Sequence, residues 1–298
     1  MSPAAALTEE SAREVLGTAC TLVGFESSDA ELIRLGSNAV FRIPGRVIAR
    51  ISRDPEARGG ADRQVAVARW LAGEGYPANR ALDVRQPVEV GGYAVTFWES
   101  AAEDERYAPV RDVARLIREL HELHAPAELD LPEKRPFAEL NARMADLENI
   151  DPGDAEFIRN RIDELASDYD NLEFTLPFGV IHGDANVGNV ILDREGNPIL
   201  IDLDSFGIGP REWDLVQTAL FYERFGWHTE DEYRTFVDVY GFDVMDWYGY
   251  PVLADYRELS MTLWLCGKAA GNDAAVAEVR KRVASLRDGG TRRDWAPF

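Results

Sequence analysis

The stretch Val180-Ile181-His182-Gly183-Asp184-Ala185-Asn186-Val187-Gly188-Asn189-Val190-Ile191-Leu192 sets a polar loop between two short apolar runs, and Ile199-Leu200-Ile201-Asp202-Leu203-Asp204 follows closely. Short apolar runs bounded by polar turn residues read as buried strands. Their ends carry an Asp, an Asn and further Asp residues on adjoining loops. Magnesium takes hard oxygen ligands and keeps waters and phosphate oxygens in its shell, so one Asn and one Asp beside a nucleotide suffice to hold it. A separate carboxylate, Asp184, stands five residues before Asn189 and can orient a hydroxyl and accept its proton. Metal-assisted phosphoryl transfer to an alcohol needs these parts and little else, because its catalysis is positioning and charge neutralisation.

Outward from this segment the two sides of the chain differ. Upstream, an amphipathic helix over 8–24 carries Leu7, Ala12, Val15, Leu16, Ala19 and Leu22 on or near one face. Strand-like runs follow at Leu32–Leu35, Ala39–Ile43 and Val47–Ile51, separated by Gly36-Ser37-Asn38 and Pro44-Gly45-Arg46, the pattern of an antiparallel meander. A helix is expected at Ala61–Gly73, then two strands, Gln86–Val90 and Tyr93–Trp98, meeting across Gly91-Gly92. From Pro109 the pattern turns helical, first through Val113, Leu116, Ile117 and Leu120, again over Ala155–Tyr169, and mostly from Trp213 to Arg287. A β-rich first third before a helical remainder predicts an α+β architecture of two lobes, 1–100 and 101–298, with the boundary near Ser100.

His-Gly-Asp-x-x-x-x-Asn followed by a strand ending in Ile-Asp-x-Asp resembles the catalytic and metal-binding motifs of aminoglycoside phosphotransferases and their choline-kinase-like relatives. The resemblance implies a two-lobed protein-kinase-like fold, with an antiparallel sheet in the N-terminal lobe and a mainly helical C-terminal lobe. It implies Asp184 as the catalytic base or hydroxyl-orienting carboxylate, Asn189 and Asp202 as magnesium ligands, and Asp204 as a contributor to a second ion. His182 then braces the loop, and Asp214 supports it from a helix start. In the N-terminal lobe the resemblance puts Gly36, Ser37 and Asn38 over the nucleotide phosphates. Arg50 stands where the family usually carries a phosphate-binding lysine, and Gln64 where a helix glutamate pairs with it. The segment Phe97-Trp98-Glu99-Ser100 would be the interlobe hinge that reads the purine edge, with Phe97 and Glu99 as nucleotide contacts. The implied activity is transfer of the γ-phosphate of ATP or GTP, with Mg2+, to a hydroxyl of a small molecule.

The net charge of −21 argues against nucleic acid as a partner, since that binding depends on Lys and Arg neutralising phosphates. No apolar run reaches the ~20 residues of a membrane span, and the N-terminus lacks the basic and apolar regions of a secretory signal, so a cytoplasmic location is expected. Between Ile201 and Ser260 thirteen acidic residues stand against four arginines, a stretch of net charge −9. In the resembled family this region helps form the acceptor pocket. The leading acceptor class is therefore a cationic antibiotic, an aminoglycoside or a basic peptide, which would make the activity one of antibiotic resistance. A metabolic kinase acting on a choline-, homoserine- or sugar-like alcohol, and a nucleotide-binding pseudokinase, are the alternatives. Cys20 and Cys266 have no metal-ligand spacing and read as buried small hydrophobes. His121 and His124 are three apart rather than the four of a zinc-binding His-Glu-x-x-His helix, so packing accounts for them.

Overall fold

The computed structural model describes residues 7–36, 38–52, 57–145, 150–269 and 271–296, the side chains of 57–59 and 145 excepted. In chain order the elements are α1 (Glu9–Val23), β1 (Glu31–Leu35), β2 (Asn38–Ile43), β3 (Val47–Ser52), α2 (Ala57–Gly73), β4 (Val88–Val90), β5 (Tyr93–Glu99) and α3 (Val110–His121). They continue with α4 (Pro136–Ala145), α5 (Pro152–Asp170), β6 (Phe178–Ile181), β7 (Val190–Leu192), β8 (Pro198–Leu200), β9 (Gly207–Pro210), α6 (Trp213–Glu223), α7 (Glu230–Tyr240), α8 (Tyr250–Cys266) and α9 (Asp273–Asp288). The chain divides into two compact units. The first comprises Met1–Ala108, Ala125–Leu131 and Gly188–Phe206, and the second the remainder. The division thus begins beyond Ser100 and is not a single cut. The β7–β8 hairpin joins the first unit because Leu200 donates to the Pro77 carbonyl and accepts from Asn79 N–H, while Ala108 N–H donates to Val190.

In the first unit β1-β2-β3-β5-β4 form one antiparallel sheet. Side chains alternate across a strand, so its two faces have separate fates. Ala39, Phe41, Ile43, Val47, Ala49, Ile51, Val95 and Phe97 pack into a core with Ala12, Val15, Leu16, Ala19 and Cys20 of α1. The opposite face presents Val40, Arg42, Ile48, Arg50 and Trp98 to a cavity. Helix α1 starts on a capping box between Thr8 and Ser11 and ends on Gly24 in the left-handed region. Leu22, expected on its apolar face, is 66% exposed, because Cys20 fills the inward position instead. Strand β4 begins two residues later than expected, the Gln86 side chain bonding to the Leu82 and Phe97 carbonyls and the Phe97 N–H.

The second unit is mainly helical. Helix α8 is its hub, packing against α4, α5, α6 and α9, while α3 lies along α7. A two-stranded β6–β9 pair adjoins α3 and carries the segment that ends in Asp184. The close approach of β9 to the 132–134 segment depends on Gly207, where a Cβ would lie 2.5 Å from the Pro132 carbonyl oxygen. Among the described residues no helix is long and apolar enough to cross a membrane.

Candidate active site

In the first unit the β7–β8 hairpin does the positioning. Val190, Ile191 and Leu192 pair with Leu200, Ile199 and Pro198, and Ile201 N–H donates to the Asn189 carbonyl at 2.9 Å. Two residues thirteen apart in sequence therefore meet in one place: Asn189 and Asp202 both line the cavity, of about 400 Å3, beneath the sheet. That volume is within the range of small-molecule sites. Asp202 holds its backbone in the left-handed region at φ 61°, which Asp tolerates better than most residues. Asn189 and Asp202 offer the hard oxygen donors that magnesium takes, and among the described residues no cluster of three His, Cys, Asp or Glu forms a metal cage. A donor set of this size suits an ion whose remaining ligands come from phosphate and water.

Arg50 and Gln64 line the same cavity. Arg50 Nη1 donates to Gln64 Oε1 at 3.2 Å and to Asp204 Oδ1 at 2.5 Å, and Nη2 pairs with Asp204 Oδ2. Burial works against the Arg50 charge, but the bonds and charge of Asp204, with that of Asp202, hold its pKa above the usual value. Asp204, expected beside a second ion, is thus engaged with Arg50. Gly36 N–H donates to the Asn38 carbonyl, closing the β1–β2 turn, and the Asn38 amide reaches Arg50 and Ser52; neither residue lines the cavity. Ser37 lies outside the described residues.

The hinge expectation is corrected at Phe97. Its ring is 0% exposed, set edge-on to Phe25 at 5.2 Å in the α1 core, and its backbone N–H and C=O are taken by Gln86 and Leu82. Strand alternation dictates this: Phe97 turns to the α1 core and its neighbour Trp98 to the cavity, which Glu99 also lines at the end of the strand. Sequence reasoning missed Asn79, which also lines the cavity and whose buried Oδ1 has no hydrogen-bond partner among the described residues. An unpartnered acceptor facing a cavity is suited to a donor on a ligand.

In the second unit the loop after β6 is held from several sides. Gly183 turns it with φ 86°. The N–H groups of His182 and Gly183 donate to the two Asp214 oxygens at 2.7 and 2.8 Å, from the first turn of α6. The loop carbonyl of Gly183 accepts from Trp213 Nε1 at 2.8 Å and from Arg257 Nη2 at 3.0 Å. Asp214 is fully buried, which opposes its charge; the hydrogen bond and charge of His121, together with the His182 N–H, outweigh burial and hold the carboxyl below the usual range. An ionised Asp214 only accepts, which assigns a proton to His121 Nε2 at 3.1 Å, while His121 Nδ1 meets the Tyr240 hydroxyl at 2.8 Å. His121 of the His-Glu-Leu-His segment is therefore part of the loop's bracing. His182 is buried and its Nδ1 lies 3.4 Å from Asp184 N–H.

The Asp184 side chain itself is 42% exposed, with Arg257 Nη1 3.4 Å from Oδ1. Arg257 stacks on Trp213 with its guanidinium 4.7 Å from the ring centroid, and Lys134 Nζ lies 5.2 Å from the same ring. Burial, with the charges of Arg257 and Arg143, pulls the Lys134 pKa down despite Glu139. Arg257 follows Asp184 by more than seventy residues on a helix with no motif, so no sequence signal linked them.

The surplus of carboxylates over 201–260 is largely spent within the fold. Glu212 accepts from the N–H groups of Thr175 and Leu176, Glu232 caps α7, and Asp243 accepts from Tyr233 and Met245. Asp255 pairs with Arg161 and Arg224, and buried Glu258 with Arg224 and Arg292. Net charge along this stretch does not by itself describe a binding face.

Residues 30–256 match the model of the phosphotransferase enzyme family known as APH. Among solved structures the chain is similar to the amicoumacin kinase hAmiN in complex with AMP-PNP, Ca2+ and Ami, at 16% identity and TM-score 0.70, covering 97% of this chain and 96% of that one. It is similar to the choline kinase LicA from Streptococcus pneumoniae, at 17% identity and TM-score 0.64, covering 92% and 98%. The GDP and kanamycin complex of APH(2")-IIia gives 14% identity and TM-score 0.65, covering 93% and 98%. No curated protein matches the chain in sequence. At these identities the solved structures establish the two-lobed kinase-like fold, and the family model spans most of the sequence: the chain belongs to the APH phosphotransferase family and is a small-molecule phosphotransferase.

Proposed function

We propose that this protein transfers the γ-phosphoryl group of ATP or GTP to a hydroxyl of a small molecule, with the first unit binding the nucleotide and the second supplying the catalytic carboxylate. The observation that carries the reading is the meeting of Asn189 and Asp202 in one cavity with Arg50 and Gln64. Asn189 and Asp202 would hold Mg2+, which when bound neutralises phosphate charge and orients the transferred group. Arg50 supplies further positive charge toward the phosphates, and Trp98 and Glu99 flank the base. Asp184 orients the acceptor hydroxyl and takes its proton. The Asp214 clamp fixes the backbone at His182 and Gly183, directly before Asp184, so little reorganisation is needed as charge moves. A nucleoside triphosphate donor fits a cytoplasmic location.

For the acceptor we propose a cationic antibiotic first: the net charge of −21 attracts cations at long range, although the carboxylates of 201–260 mostly serve the fold. A second reading has its own observation: Arg257 pairs with Asp184 and Lys134 shares the Trp213 ring with it. Cations beside the catalytic carboxylate favour a metabolite alcohol that carries an anionic group, such as a homoserine-like carboxylate. The deciding experiment is nucleoside diphosphate release from ATP and GTP with magnesium, over aminoglycosides, basic peptide antibiotics, choline-like alcohols and hydroxy acids. Acceptor-dependent turnover that vanishes in Asp184→Ala supports the proposal and names the class. Absence of both turnover and magnesium-dependent nucleotide binding would refute it.

A further inference from the structure

We infer that Asp204 is the positioning carboxylate of Arg50 rather than a metal ligand. The inference rests on the nucleotide-site reading above. Arg50 has five N–H donors in a planar fork. Nη1 donates to Asp204 Oδ1 at 2.5 Å and Gln64 Oε1 at 3.2 Å. Nη2 donates to Asp204 Oδ2 and, in the amide orientation that satisfies both groups, to the Asn38 side-chain oxygen at 2.7 Å, which also accepts from Nε at 3.2 Å. Every donor is thus placed, and the guanidinium plane is fixed by a two-point pair with one carboxylate.

This arrangement accounts for both departures of the sequence at once. Gln64 on α2 can accept from Arg50 but brings no charge, and the missing carboxylate is supplied by Asp204, beyond β8. An ammonium could not serve: it cannot fork across both oxygens of a carboxylate while also meeting two amides. Arginine on β3 and aspartate at 204 therefore belong together. When a phosphate arrives, the partners that yield are the neutral amides of Asn38 or Gln64, because charge-assisted bonds are the stronger ones. Asp204 stays, and Arg50 turns its freed edge to the phosphate in a fixed plane. The metal is left to Asn189 and Asp202.

The test is steady-state kinetics of the full chain for nucleotide and for Mg2+, with magnesium-dependent nucleotide binding measured alongside. Asp204→Asn is expected to raise the nucleotide KM about tenfold or more, the value of a charge-assisted pair, while the Mg2+ concentration for half-maximal rate stays unchanged. Adding Gln64→Glu, which restores a carboxylate beside Nη1, is expected to recover most of that loss. A raised Mg2+ requirement with no rescue by Gln64→Glu would overturn the assignment and make Asp204 a metal ligand. Should Asp204→Asn not fold, Arg50→Lys decides: a raised nucleotide KM at unchanged Mg2+ requirement supports the pair, and an unchanged KM overturns it. Wild-type protein that binds no magnesium nucleotide would overturn the site reading itself, whatever the variants do.

Discussion

Asp184 stands partly exposed on a loop whose backbone is tied down by Asp214, Trp213 and Arg257, so its removal should injure chemistry and spare the fold. Asp184→Ala is expected to lower kcat by about 10²–10⁴-fold, the range of a general base, with a denaturation midpoint close to wild type. Asp214 is the converse. It is buried and accepts from His182, Gly183 and His121, so Asp214→Ala should cost about 3–5 kcal/mol in chemical denaturation, the price of breaking a buried charged network. Its folded pKa lies below the usual range, so its contribution is fully present above the unfolded carboxylate value of about 4 and is lost as pH falls through the lower folded value. Asp214→Asn should therefore lower stability at neutral pH and flatten the acid limb of the profile below about pH 4, leaving the slope of the neutral limb unchanged. Of these residues, Asp184 was legible from its motif. The His121–Tyr240 part of the brace was not, because its members are separated by more than a hundred positions and carry no joint pattern.

At the scale of elements, the β6–β9 pair and the β7–β8 hairpin bear the site residues. Gly207→Ala would drive a Cβ to 2.5 Å from the Pro132 carbonyl oxygen, an acceptor already bonded to Ile208 N–H. Overpacking of this kind costs about 1–3 kcal/mol. The variant should unfold at correspondingly lower denaturant and lose kcat through the displaced catalytic loop. Strand positions were legible from period-two patterning and turn residues, and the Val90↔Tyr93 register across Gly91-Gly92 is the one expected. Which neighbour of Phe97 faces the cavity was not. A strand buried on both faces from Ala94 to Trp98 has no burial alternation to read, and only the packing of α1 on one side decides it.

For the whole molecule the net charge of −21 is the dominant long-range property. Like charges repel across the surface, so moderate salt should raise the melting temperature, while buried pairs such as Arg282–Glu278 are screened far less. The protein should also fail to retard DNA or RNA in a gel at physiological ionic strength, for want of basic surface. A mobility shift that weakens with salt would contradict that expectation. Acceptor preference is another matter at this scale, since the carboxylates that make the total so negative mostly cap helices or hold arginines.

By itself the sequence determined the family and the α+β order of elements, and it singled out Asp184, Asn189 and Asp202 as candidate site residues. Those depend on local spacing, and turns, strands and a loop between two strands are written in neighbouring residues. Tertiary structure alone decided that Asp204 meets Arg50, that Phe97 faces the α1 core, and that Arg257 and Lys134 surround Trp213 beside the Asp184 loop. Each of these is a contact between distant segments. A planar guanidinium finds its carboxylate, and a ring its side of a sheet, only when the whole chain has folded around them.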